Sequence, residues 1–264
     1  MKLLIITQKL DISDDNLGFF HRWVEEFAKN TERVFVIVNF IGEYHLPANA
    51  EIFSLGKEKR LGRIRRYFNF FRYLLKILPK SDAVFIHMIP AWAVMSWPLC
   101  KIFGKKIYLW YTHKSVTFSL RLAEKIVERI FTASEKSFRL KSKKTTVTGH
   151  GIDIEKFKPV AGQQPSAAGY KIITVGRISP SKNLNVLVEA AEILKNTGMD
   201  FKIKIAGAPI TAADGRYFKY LKSLIVKNNL ENVMEFSGAI PYGKIEKFYQ
   251  AGNLFVNLSG TGSL

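Results

Sequence analysis

Two cations, Arg177 and Lys182, share one short turn in Val175-Gly-Arg-Ile-Ser-Pro-Ser-Lys-Asn183. The run Lys171–Val175 before it reads as a buried strand. The stretch Asn183–Asn196 after it reads as a helix with Leu184, Leu187, Val188, Ala191 and Leu194 on one face. Ligands of open α/β sheets gather beyond the carboxyl ends of the strands, so both side chains would project into that region. Arginine can fork onto two oxygens, lysine supplies a point charge, and a helix N-terminus adds partial positive charge, so the trio suits a diphosphate. Gly176 would let the backbone approach such a ligand closely. An ordinary strand-to-helix turn with solvated Arg and Lys has the same spacing, and the residues alone leave both readings open.

Around this turn, strands and helices alternate. Strand-like runs at Leu3–Thr7, Val34–Phe40, Ala83–Ile86, Lys106–Trp110 and Thr145–Thr148 interleave with helical patterns at Gly18–Lys29, Leu61–Leu78, Trp92–Phe103 and Leu120–Ile130. Such alternation predicts βαβ units and a parallel sheet. Pro159–Gly169 lacks apolar periodicity and is rich in Pro, Gly and Ala, so it reads as a linker. The alternation restarts with strands at Lys171–Val175, Phe201–Ala206, Val233–Phe236 and Leu254–Leu258, and helices at Asn183–Asn196, Tyr217–Asn228 and Gly243–Gln250. The expected organisation is therefore a first domain over 1–158, a linker over 159–169 and a second, partial domain over 170–264. In the first strand-to-helix loop, Asn16 is the expected N-cap, and Gly18 either touches a phosphate or acceptor or simply begins a capped helix.

Composition limits the classes of function. The 264 residues are 47% hydrophobic, enough for real cores. One cysteine, Cys100, excludes an internal disulfide and points to a buried thiol in a reducing cytoplasm. The N-terminus reads as a first strand, not a signal peptide, and the most apolar stretch is interrupted by His87, Pro90 and Pro98, so no membrane span is expected. Neither a phosphate-binding Gly-rich loop nor a metal-binding Asp-x-Asp pattern is present, and no metal is expected.

Charge is uneven. Residues 1–168 carry 28 Lys and Arg against 15 Asp and Glu, whereas residues 169–264 carry 12 against 7. The densest stretch is 57–80, where nine basic residues and one acid interleave with Leu61, Ile64, Phe68, Phe71, Leu75 and Leu78 at helical spacing. That pattern fits an anionic membrane surface, or a helix that packs its apolar stripe on the core and exposes a basic face. No nucleic-acid motif accompanies the charge, so no nucleic-acid partner is expected.

The segments Val175–Asn183, Thr148–Pro159 and Val233–Pro241 together resemble successive blocks of the retaining GT-B glycosyltransferase family, glycosyl transferases group 1. The resemblance implies two Rossmann-like domains facing a cleft, an acceptor held by the first domain and a nucleotide-sugar donor held by the second. It implies transfer to a glycan, lipid-linked or small-molecule acceptor with retention, without a metal or other cofactor, the departing diphosphate being neutralised by Arg177 and Lys182. It also implies roles for His113, which aligns with a cleft histidine, for Gly18 and Gly176 near the donor, and for Gly260, Thr261 and Gly262. His87 could line the acceptor side or be a satisfied core histidine. His150 and Asp153 stand where structural residues of the crossover are expected. The family's donor-gripping pair of glutamates falls beyond Leu264, so a C-terminally truncated transferase is expected, cytoplasmic and peripheral on the inner face of the membrane. The alternatives are a non-catalytic fragment or basic membrane-surface module unable to hold donor, and an epimerase of the same fold, whose catalytic acids have no evident place here.

Overall fold

The computed structural model describes residues 1–159 and 169–260, which form two compact units, Met1–Gly151 and the residues from Ile152 onward. In the first unit the elements run β1 (Lys2–Leu10), α1 (Phe19–Lys29), β2 (Arg33–Ile41), β3 (Ala50–Ser54), α2 (Arg63–Ile77), β4 (Ala83–His87), α3 (Pro90–Ile102), β5 (Lys106–Trp110), α4 (Phe118–Ile126), β6 (Arg129–Thr132) and β7 (Thr145–Val147). All seven strands pair in parallel in the order β3-β2-β1-β4-β5-β6-β7.

Both faces of this sheet are apolar because successive side chains of a strand point to opposite sides. Leu4 and Ile6 of β1 enter one core with Phe70 and Leu74 of α2, Cys100 of α3 and Leu120 of α4. Leu3 and Ile5 enter the other with Phe20 and Val24 of α1. Burial on two faces explains why β1, β2 and β4 read as continuous apolar runs rather than alternating ones. Cys100 is fully buried, and burial pushes its thiol up to about 11.

The second unit contains β8 (Tyr170–Val175), α5 (Leu184–Asn196), β9 (Phe201–Ala206), α6 (Ala212–Lys227), β10 (Met234–Gly238), α7 (Ile245–Gln250) and β11 (Leu254–Phe255). Its described strands form a parallel sheet in the order β10-β9-β8-β11. Leu187, Val188 and Ala191 of α5 and Leu221 and Ile225 of α6 close a single core over Ile203 and Ile205.

Four features differ from the reading of the sequence. Residues 152–159 belong with the second unit, earlier than a first domain drawn to 158. Phe157 packs edge-on against Tyr242 and Tyr249, and Lys156 Nζ donates to the Tyr242 carbonyl at 3.1 Å. The expected linker falls mainly on 160–168, outside the described residues. The helix expected over Leu120–Ile130 stops at Ile126, because Arg129–Phe131 pair with Tyr108–Trp110 of β5 instead, and β3 has no counterpart among the expected strands. Finally, α6 begins at Ala212, five residues before the expected Tyr217, where the Thr211 hydroxyl accepts from the Asp214 N–H and the Asp214 carboxylate accepts from the Thr211 N–H.

Candidate active site

The carboxyl ends of β8, β9 and β10 each run into a glycine with positive φ, at +146° for Gly176, +142° for Gly207 and +73° for Gly238. The backbones meet there: the Gly176 N–H donates to Ala206 at 3.0 Å and the Gly207 N–H to Gly238 at 2.7 Å. A Cβ on Gly207 would lie 1.9 Å from the Gly176 carbonyl oxygen, so no side chain fits. This backbone ledge is what the turn after β8 is built on.

On the ledge, Ile178 and Ser179 are buried and anchor the turn, while Arg177 between Gly176 and Ile178 is exposed. Pro180–Lys182 form a single turn of 3₁₀ helix, which folds Lys182 back so that its Cε stands 3.2 Å from the Cβ position of Gly176. Burial, reinforced by the neighbouring Arg177 charge, pulls the Lys182 ammonium below its ordinary range. Lys182 thus lies over Gly176, with the Arg177 charge near enough to make its ammonium harder to hold without an anion beside it.

The acid facing this pair is Asp214, whose Oδ2 stands 3.9 Å from Arg177 Nε. Burial opposes ionisation of Asp214, but hydrogen bonds from Thr211 and Ile210 and the Arg177 charge outweigh it and hold the carboxyl below its usual range. The Ile210 and Thr211 N–H groups both donate to Oδ2, the same oxygen that faces Arg177. Asn183 closes the turn in the left-handed region at φ 49°, which asparagine tolerates, and its Nδ2 donates to the Leu258 carbonyl at 2.9 Å. That bond ties Leu258, in the segment after β11, to the end of the cationic turn. Thr261 and Gly262 lie outside the described residues.

In the first unit, Gly18 follows β1, His113 follows β5, and β4 lies between those two strands. Gly18 is buried with helical φ and ψ, and α1 starts without a side-chain cap at that residue. The expected cap, Asn16, is not the capping side chain. Asp14 instead orders the preceding loop, accepting from the N–H groups of Asn16 and Leu17 and pairing with Lys9. His113 is exposed, with Nδ1 accepting from the Ser115 N–H at 3.0 Å.

His87 is neither at the surface nor fully satisfied. It is 1% exposed, stacked on Phe20 at 4.0 Å, bonded through Nδ1 to the Thr7 hydroxyl at 3.2 Å, and its buried Nε2 has no protein partner. Burial drops its pKa to about 3, so the ring is neutral. His21 and His150 are also held below their ordinary range, mainly by burial, and His21 Nε2 accepts from the His45 N–H. Among the described residues, no three His, Cys, Asp or Glu side chains gather as a metal-holding group.

Residues 161–263 match the family model described as glycosyl transferases group 1. This segment is similar to that family's domain. Within it fall every residue of the cationic turn and its ledge. A putative colanic acid biosynthesis glycosyltransferase, WcaL of Escherichia coli (strain K12), is 31% identical over 120 residues, which is 46% of this chain and 28% of that protein. An amylovoran biosynthesis glycosyltransferase, AmsK of Erwinia amylovora, is 30% identical over 118 residues, covering 44% of this chain and 26% of the relative. The chain thus spans less than a third of the relatives it matches. Among solved structures, TarM superimposes with a TM-score of 0.69 at 10% identity, over 98% of this chain and 80% of its own. Sucrose-phosphate synthase from Thermosynechococcus elongatus superimposes with a TM-score of 0.67 at 16% identity, over 97% and 75%. At such identities the likeness carries the fold, which is GT-B.

Sequence reasoning missed Gly207 and Asp214 in the matched segment. Both leave a signal: a glycine directly after an alternating strand, as Gly176 also is, and a Thr-x-x-Asp box before a helix.

Proposed function

We propose that this chain holds a nucleotide-sugar donor through the turn after β8, as part of a glycosyltransferase acting on a glycan, lipid-linked or small-molecule acceptor. The observation that carries the reading is Lys182 folded over Gly176 beside the Arg177 charge, with Asp214 3.9 Å from Arg177 Nε. Arg177 and Lys182 would meet the charge that develops on the departing nucleoside diphosphate, the form of catalysis in which one lost donor costs about 10²–10³ in rate. The role asks for no metal, since two protein cations and the backbone ledge supply the positive potential. It asks for no protein nucleophile either, which fits transfer with retention by attack of the acceptor hydroxyl on the face the diphosphate leaves. His113, exposed at the end of β5, is the first unit's candidate for a hydrogen bond to the transferred sugar. The polysaccharide-building roles in the names of the matched relatives support a glycan acceptor. The single buried thiol of Cys100 supports a reducing, cytoplasmic setting.

Calorimetric titration of the chain with UDP- and GDP-sugars, and with UDP and GDP alone, tests this. Affinity carried by the diphosphate, and about 10–100-fold weaker in Arg177→Ala, is expected for a charge-assisted contact. Equal affinity in the variant, or no binding of any nucleotide, would remove the site.

A further inference from the structure

Helix α2 contributes Phe70, Leu74 and Ile77 to the core, each no more than 1% exposed. Its remaining apolar residues do not join them. Ile64, Phe68, Phe71 and Leu75 are 87%, 67%, 39% and 53% exposed. At about 100° per residue these four fall within an arc of about 60°, on a side of the helix well away from the core residues. Scattered exposed apolar residues are ordinary, but four aligned along most of one helix make a continuous apolar strip that water alone does not favour.

The flank of the strip says what covers it. Arg65, Arg72 and Lys76 are exposed and project along one side of it, at about 80–120° from Ile64. The helix carries no acidic residue. The one acid in the surrounding stretch, Glu58, is turned inward, accepting from the Ser54 hydroxyl and the Ile41 N–H. Lys57, Lys59 and Arg60, just before the helix, are exposed as well. A second copy of this face would set like charges against each other. An anionic surface that also offers an apolar interior satisfies both the strip and its flank.

We propose that α2 lies flat on an anionic lipid bilayer, with Ile64, Phe68, Phe71 and Leu75 entering the boundary between headgroups and acyl chains and Arg65, Arg72 and Lys76 meeting lipid phosphates. The helix is about 22 Å long and keeps its third face in the protein core, so it attaches without leaving the fold. No described helix is long and apolar enough to cross a membrane, which makes surface attachment the relevant geometry. The inference does not depend on the donor site and can fail or stand without it.

The test is flotation of the chain with phosphatidylcholine vesicles, with and without phosphatidylglycerol, at low and high salt and without nucleotide. Binding is expected only to phosphatidylglycerol vesicles and is expected to weaken as salt rises. The double substitution Ile64→Ser/Phe68→Ser should weaken it about tenfold or more, and Arg72→Gln or Lys76→Gln about fivefold each. All four side chains are exposed, so unchanged far-UV dichroism and melting should accompany the loss. In Phe68→Trp, the added fluorescence should shift to the blue on vesicles. The proposal is overturned if the chain ignores phosphatidylglycerol vesicles, or if Ile64→Ser/Phe68→Ser binds them undiminished. It is also overturned if sedimentation shows the strip joining two copies of the chain in place of vesicle binding.

Discussion

The first strand-to-helix loop of each unit has the same task and a different electrostatic state. At the end of β1, the half-buried Lys9 is paired with Asp11 and Asp14, and Asp14 also accepts from the N–H groups of Asn16 and Leu17 in the loop ahead of α1. Burial would lower the Lys9 ammonium, but the two carboxylates outweigh it and raise it above its ordinary range. After β8, Lys182 is lowered by burial and by Arg177, and the one facing acid stands 3.9 Å from Arg177 Nε. The first loop supplies its own anion. The second is proposed to receive one from outside, which is why the proposed donor site lies there although the first unit holds most of the positive charge.

That contrast can be broken in several places. The largest effect is expected at the ledge. Gly207→Ala would force a Cβ to within 1.9 Å of the Gly176 carbonyl at a φ of +142°, and should destabilise the second unit by more than about 4 kcal/mol, read as loss of its cooperative unfolding transition. If Gly207→Ala melts normally, the ledge does not set the turn. Next, Arg177→Ala should weaken nucleoside diphosphate binding by about 1.5–3 kcal/mol, whereas Lys9→Ala should leave it unchanged. Equal losses would mean that the loops do not differ as described.

The third measurement concerns the interior of the first unit beside its loop, where His87 touches Thr7. A histidine with a folded pKa of about 3 and an unfolded value near 6.5 contributes stability that is fully present above pH 6.5 and is lost as pH falls from there toward 3. The loss is about 1.4 kcal/mol per pH unit, or about 2 kcal/mol between pH 6.5 and 5, where carboxylates are still ionised. His21 and His150 shift in the same direction, so the measure is the difference between wild type and His87→Phe in denaturant titrations followed by Trp23 fluorescence. Identical pH slopes would show that His87 is hydrated in the folded state. The smallest effect is expected for Asp14→Ala, about 1 kcal/mol from the lost loop hydrogen bonds, with no change in diphosphate affinity.

Much of this architecture is legible in the chain. The alternation of apolar runs and amphipathic stretches marks most elements, because burial on two sheet faces and on one helix stripe leaves periods that survive in the sequence. Boundaries are less legible. Leu120, Ala123, Val127 and Ile130 keep a helical rhythm to the end, but the tail is drawn into β6 by pairing with β5, a contact local spacing does not encode. At the start of α1, Asn16 is a reasonable cap by residue type, yet the helix begins without a side-chain cap and Asp14 takes the N–H groups of the loop before it. For the site, Arg177, Lys182 and Gly176 can be picked out from one short segment. Gly207 and Asp214 cannot be attached to them without knowing that β9 lies beside β8.

By itself, then, the sequence determined which residues share a strand, a helix face or a turn, where the charge is concentrated, and which turn carries two cations after a glycine. The tertiary structure decided what each of those faces meets. The strip Ile64–Phe68–Phe71–Leu75 has the spacing of a core stripe, yet Phe70, Leu74 and Ile77 take the core and leave it in solvent. His87 follows its strand as His113 does, yet one is sealed among aromatic rings and the other is exposed. The physical reason is the same throughout: periodicity along a chain fixes direction, whereas burial and charge neutralisation depend on neighbours that only the packing of distant segments brings within reach.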